Sequence, residues 1–215
     1  MGKISQGVLG GFSGKVGNVV GGSWKGIDYM RIKPASVANP RTQGQVDQRS
    51  KFSVVLNFLQ PLSEFLRVGF KLYTNKMTQF NSAMSYNLNN AVTGAYPDFT
   101  IDYPNALVSR GQLNGATGAG VSSIDPAMVD FTWEDNSGPG RSKAKTTDKA
   151  LLLVYNVSKG IAIYDLEGAS RDTGAQSLEV PTDFSGDEVQ TFMGFISEDG
   201  SQVSDSVYVG SVVVA

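Results

Sequence analysis

Met128-Val129-Asp130-Phe131-Thr132-Trp133 and Ala150-Leu151-Leu152-Leu153-Val154-Tyr155-Asn156-Val157 decide the fold class of this 215-residue chain. The first stretch alternates apolar and polar residues, the period of a strand with one face buried; the second is a continuous apolar strand with Tyr155 near its end. Further strand signals follow at Ile161–Leu166, Ser177–Val180, Val189–Ser197 and Gln202–Val209. Turns separate them. Asn136-Ser137-Gly138-Pro139-Gly140 is one, and Glu198-Asp199-Gly200-Ser201 reads as a tight hairpin, because Asp-Gly supplies the positive backbone angles of a type I′ turn. Seven or so short strands across 121–215, no helical period, and a Trp and a Tyr in the early strands predict an antiparallel β-sandwich of immunoglobulin or fibronectin type III kind. That architecture carries no function with it.

Upstream the period changes. Asn39-Pro40-Arg41-Thr42 is a helix-start signal, and Val46, Phe52, Val55, Leu56 and Leu59 follow on one helical face. Pro61 suits the first turn of a second helix carrying Leu62, Phe65, Leu66 and Phe70. A third helix is expected from near Thr74, with Met77, Phe80, Met84 and Leu88 as a packed stripe and the Asn87–Asn90 run before Gly94 as its stop. Phe99, Ile101 and Tyr103 alternate as a strand, and Ala106–Leu113 reads as another. Gly111–Ser123 is rich in Gly, Ala, Ser, Thr and Asn and is the best linker candidate. The chain therefore reads as α+β in two domains: a basic, glycine-rich β and helical domain over 1–113, then an acidic sandwich over 121–215.

Nine of the 25 glycines fall within residues 2–26, interleaved with Phe12, Val16, Val19, Val20, Trp24, Ile27, Tyr29 and Ile32. The pattern predicts brief strands, tight turns and close backbone approaches. Gly14-Lys15 lacks the upstream Gly and the following Ser or Thr of a phosphate loop, since Leu9 and Val16 stand there. Gly14-Lys15-Val16-Gly17 matches the Gly-x-x-Gly of a nucleic-acid-binding loop, but that motif works between two helices, and here it lies among strand signals. The acidic turns at 134–136, 165–167, 172 and 183–188 offer oxygens to a hard cation without the residue order of a calcium loop.

The chain contains neither His nor Cys. A Ser-His-Asp or Cys-His nucleophile system, a disulfide framework and a His- or Cys-ligated transition metal are therefore excluded. No secretory leader or membrane-length apolar run is visible, so the expected location is the cytoplasm or a particle assembled inside the cell, with no cofactor and no membrane partner.

The net charge of −2 conceals a strong asymmetry. Residues 1–77 hold 11 basic and 3 acidic residues, a net +8; residues 78–215 hold 7 and 17, a net −10. A basic end of one copy can meet the acidic domain of the next, a heterologous contact that propagates into rings, lattices or filaments. The basic residues are spread among apolar and glycine positions suited to strand pairing, whereas a nucleic-acid stripe is denser in Lys and Arg. Phe12, Lys15, Trp24, Lys25, Arg31 and Lys33 are the candidate interface residues, with Phe12 and Trp24 as anchors.

Gly2-Lys3-Ile4-Ser5-Gln6-Gly7, Gly10-Gly11-Phe12-Ser13-Gly14-Lys15-Val16-Gly17 and Gly22-Ser23-Trp24-Lys25-Gly26 give the chain a resemblance to an uncharacterised family of Bacteroidota proteins, a domain of unknown function. Phe58-Leu59-Gln60-Pro61-Leu62, Ala83-Met84-Ser85-Tyr86-Asn87 and Tyr103-Pro104-Asn105-Ala106-Leu107-Val108-Ser109 are similar to it as well. The resemblance implies common ancestry and no activity, catalytic residue or cofactor. The expected function is that of a non-enzymatic structural protein that self-associates or coats a larger assembly, such as a virion surface, capsid or filament. The alternative is a glycan- or protein-binding module using the 134–140 or 165–174 loops; nucleic-acid binding ranks third and an enzyme last.

Overall fold

The glycine-dense N-terminus forms a four-stranded antiparallel sheet: β1 (Lys3–Ile4), β2 (Phe12–Val16), β3 (Val19–Trp24) and β4 (Ile27–Ile32), in that order. The computed structural model describes residues 2–4, 10–24, 26–36, 41–138 and 144–215. Gly17 and Asn18 turn β2 into β3, with Gly17 at a φ of 59°. Gly21 is required for a different reason: a Cβ there would run into the carbonyl oxygen of Phe12, whose ring lies against it. Residues 1–42 form one compact unit and residues 43–215 a second.

The second unit begins with α1 (Gln43–Leu59), continues through a single 3-10 turn at 60–62 into α2 (Ser63–Gly69), and then forms α3 (Gln79–Asn90). A short ribbon of β5 (Val92–Thr93) and β6 (Thr100–Ile101) follows. Seven strands complete the chain: β7 (Thr117–Ser122), β8 (Met128–Glu134), β9 (Lys149–Asn156), β10 (Ile161–Asp165), β11 (Ala175–Glu179), β12 (Glu188–Ile196) and β13 (Val207–Val213). They pair as a three-stranded sheet, β11-β8-β7, and a four-stranded sheet, β10-β9-β12-β13, all antiparallel. The expected sandwich is present.

The sequence boundary at 113–121 does not coincide with the division at 42/43, and β9 gives the reason. Ala150, Leu152 and Val154 share one core with Val129, Phe131 and Trp133 of the opposite sheet. Leu151, Leu153 and Tyr155 share another with Val55, Phe58 and Leu59 of α1 and Leu62, Phe65 and Leu66 of the next turns. The four-stranded sheet is thus a middle layer, covered by helices on one face and by β11-β8-β7 on the other. An unbroken apolar run is the pattern of a strand buried on both faces. Phe58, Tyr103, Tyr155, Phe192 and Tyr208 join helix to sheet through ring contacts with centroids 5.2–6.5 Å apart.

Six local expectations are corrected. The third helix starts at Gln79, not near Thr74, because the Thr78 hydroxyl caps it by accepting from the Asn81 N–H; Met77 is left exposed. Phe52, expected on the apolar face of the first helix, is exposed. Residues 106–113 are not a strand. Their backbone is satisfied by side chains: buried Asn87 donates to Leu107 O and accepts from Leu107 N, while Ser206 Oγ accepts from Val108 N. Part of the supposed linker is β7, and the last strand begins at Val207, with Val203 and Ser204 making only isolated bridges. The 198–201 turn is a longer loop closed by Ser197 N–H on Gln202 O. Only Gly200 there has positive φ, so it is not type I′. The Asp199 carboxylate accepts from Ser197 Oγ and from both the backbone N–H and the hydroxyl of Ser201, which hold it well below the usual carboxylate range.

One polar cluster fixes the end of the sandwich. Arg171 has no exposed surface, and its guanidinium lies 3.6 Å from the centroid of the Phe195 ring. It donates to Asp148 Oδ2 at 3.3 Å from Nε, to Asn114 O at 2.9 Å and to Asn136 Oδ1. Its own carbonyl accepts from Trp133 Nε1 at 2.8 Å. Burial lowers the Arg171 pKa while the Asp148 charge raises it, the two opposing effects expected of an interior ion pair.

Three outcomes follow from this packing. Residues 121–215 expressed alone should fail to give a cooperative urea transition, because Leu151, Leu153, Tyr155 and Phe192 lose their helical cover; a two-state transition matching the full chain would refute the shared core. Arg171→Met should cost about 3–5 kcal/mol in urea unfolding by leaving Asp148 buried and unpaired, and adding Asp148→Asn should recover part of it. Finally, burial pushes the Tyr103 hydroxyl from 10.0 up to about 12, and burial also raises Tyr155 and Tyr208. Unfolded tyrosines ionise near 10, so stability should hold below pH 10 and fall as the pH rises from 10 to 12, with tyrosinate absorbance appearing together with unfolding.

Candidate assembly surface

A strand that packs on one face alternates buried and exposed residues, but β4 buries none of its six. Ile27, Met30 and Ile32 are 68, 72 and 78% exposed, and Trp24 at the end of β3 is 65% exposed. Strand register sorts these side chains into two faces. Lys15 pairs with Val20 and Val20 with Arg31, and in the same parity Gly22 pairs with Tyr29 and Trp24 with Ile27. One face therefore presents Val20, Trp24, Ile27 and Tyr29 flanked by Lys15 and Arg31. The other carries Val16, Val19, Met30 and Ile32 around glycines.

This is an apolar sheet with a basic rim on one side. β4 is also terminal in the sheet order, so its outer backbone edge has no strand partner among the described residues. An exposed, apolar edge strand is a template for pairing with another chain.

The structure separates the sequence-selected residues. Lys15, Trp24, Arg31 and Lys33 are exposed on or beside the sheet, with Lys33 N–H bonded to Asn18 O. Lys25 lies outside the described residues. Phe12 is only half-exposed and packs on Gly21, so it braces the sheet instead of standing free as an anchor. Ile27, Met30 and Ile32 of β4 lie outside that set and are the more exposed apolar residues; their signal in the sequence is the strand Ile27-Asp28-Tyr29-Met30-Arg31-Ile32, broken by two charges. Gly14–Gly17 lies in the β2–β3 hairpin, not between helices.

The acidic turns are occupied internally. Lys159 meets Asp187 at 2.7 Å and Asp183 at 3.5 Å, and the hydrogen bond from Lys159, helped by Asn156, holds the Asp187 carboxyl below its ordinary range. Asn136 Nδ2 donates to Gly115 O, and Asp165 accepts from Gln176 Nε2, which ties the described part of the 134–140 loop, residues 134–138, and the 165–174 loop to the sandwich; residues 139–140 lie outside the described residues. Among the described residues no group of three or more acidic side chains could hold a metal ion. No helix there is long and apolar enough to cross a membrane, a statement that leaves strands aside.

Residues 11–210 match the family of unknown function DUF6266. No curated protein matches the sequence. Among solved structures, the solution structure of the fn3 domain of human collagen alpha-1(XX) chain is similar over 48% of this chain and 87% of that one, with 9% identity and a TM-score of 0.33. The sandwich assignment above rests on the strand order of this chain.

Proposed function

The chain belongs to the family of unknown function DUF6266, and we propose that it is a non-enzymatic structural protein whose N-terminal sheet joins copies of the chain into a larger assembly. The observation that supports this reading most directly is β4: a terminal strand exposed over its whole length, with Ile27, Tyr29, Met30 and Ile32 as its apolar residues. The proposed occupant of that sheet is the acidic unit of a second copy. Residues 1–42 contain six basic residues and one acidic residue, Asp28, whereas residues 43–215 contain 12 basic and 19 acidic residues. Opposite charge steers and orients the contact, and apolar burial at Trp24, Ile27 and Tyr29 stabilises it. Because the two surfaces differ, each copy keeps one of each unused, and addition continues until a ring closes or a filament grows. A virion coat, a capsid-associated layer and an intracellular filament all fit this mode of growth.

Light scattering at physiological salt should show a mass above the monomer that rises with protein concentration. Ile27→Asp combined with Ile32→Asp should return it to the monomer while the near-ultraviolet circular dichroism of the second unit stays unchanged. Raising the salt from about 0.15 M to about 1 M shortens electrostatic range from roughly 8 to 3 Å and should slow association. A strict monomer at high concentration that also joins no particle overturns the proposal.

A further inference from the structure

A second site lies on the helical layer, and none of its residues belongs to the candidate interface set above. Between α3 and the 70–77 segment there is an open cleft of about 590 Å³, lined by Tyr73, Asn75, Ser85, Tyr86, Asn89 and Asn90, with Arg110 in its wall. The Arg110 guanidinium lies over the rings of two tyrosines, 4.4 Å from the centroid of Tyr73 and 5.2 Å from that of Tyr86. Its backbone is anchored independently, by its N–H on Gly69 O at 2.9 Å. Among the described residues no carboxylate pairs with Arg110, in contrast to Arg67 with Glu64 and Arg171 with Asp148. No acidic side chain lines the cleft either.

This arrangement spends two aromatic faces on holding a cation in place and leaves its hydrogen-bonding edge without an acid. Stacking fixes the plane of a guanidinium while its N–H donors remain available for a planar, two-oxygen acceptor. The rest of the lining is uncharged. Asn89 and Asn90 donate their amide N–H groups to Ser85 O and Tyr86 O at 2.7 and 2.8 Å, so each keeps its amide oxygen as an acceptor. One cation matches one carboxylate, whereas free sulfate or a phosphate monoester carries about two charges. Neutral amide acceptors beside it match hydroxyl donors. A molecule bearing one carboxylate and several hydroxyls, in a volume within the usual range for small ligands, is an acidic sugar.

We propose that this cleft binds a hexuronic acid unit, with the carboxylate on Arg110 and ring hydroxyls on Asn89 and Asn90. The assignment is independent of the assembly reading, because none of its residues belongs to the N-terminal sheet.

The test is calorimetric titration of the full chain with digalacturonate and, separately, with its methyl ester, which keeps every hydroxyl and removes the charge. Saturable binding of the free acid is expected, weakened by about tenfold or more in the ester and in Arg110→Gln, as befits loss of a hydrogen bond to a charged group. Arg110→Gln also removes the cation that lies over the tyrosine rings, so Ser85→Glu serves as the second variant. Ser85 is exposed, and the substitution leaves Arg110 and both rings in place while supplying a competing carboxylate. It should abolish binding with an unchanged thermal melt. Absence of saturable binding to the wild-type chain, equal affinity for the ester, or undiminished binding by Ser85→Glu overturns the site. Equal affinity for acetate or for N-acetyl-Gly-Gly overturns the sugar assignment.

Discussion

Strand β9 has to be covered twice, and the architecture of residues 43–215 follows from that requirement. Its side chains alternate between two cores, Leu151, Leu153 and Tyr155 toward the helices and Ala150, Leu152 and Val154 toward the opposite sheet. Fully burying a Leu or Phe side chain is worth about 1.5–3 kcal/mol. Removing either cover would expose enough such residues to rival the whole stability of a domain, about 5–15 kcal/mol. The helices are therefore not an N-terminal domain placed beside a sandwich; they are its third layer. Phe58 and Phe192, 134 positions apart in sequence, meet in the same aromatic cluster because of it.

The polar interior serves a different end. Apolar layers can slide, whereas a buried guanidinium with several fixed acceptors specifies one alignment. Arg171 collects the segment before β7 through Asn114, the β8–β9 connection through Asn136 and Asp148, and β12 through Phe195. Asn87 does the same on the other side of the middle sheet, holding Leu107 against α3 by both its amide groups. Each links loops that no ladder of backbone bonds could join.

These two residues also mark where reading the sequence stops. Alternation and turn residues located β8, β9, β10 and β12, and Pro61 located the break between α1 and α2, because those signals are local. The unbroken run at 150–157 already implied cover on both faces, yet the glycine- and serine-rich stretch at 111–123 drew a boundary there. That stretch is rich in small residues partly because backbones approach closely: a Cβ on Gly111 would run into Val203 O. Asn87, in an asparagine-rich run, looked like a helix stop, and its burial depends on Leu107, twenty residues on. Arg110 and Arg171 were two of seven basic residues in an acidic region. What sets them apart is their neighbours, which come from distant parts of the chain.

The N-terminal sheet reverses the logic of the rest. In residues 43–215 both faces of the central strand β9 find cover within the unit. In residues 1–42 the glycines that let strands approach closely also remove the side chains that would build a core, and Ile27, Met30 and Ile32 are left largely exposed. A sequence selected only to fold would place polar residues at those positions, since exposed apolar strands invite aggregation. In the proposed assembly, Lys15 and Arg31 on the same face as Trp24 and Ile27 would confine that tendency to surfaces of opposite charge. Specific association then needs no catalytic residue types, and the missing His and Cys cost such a protein nothing.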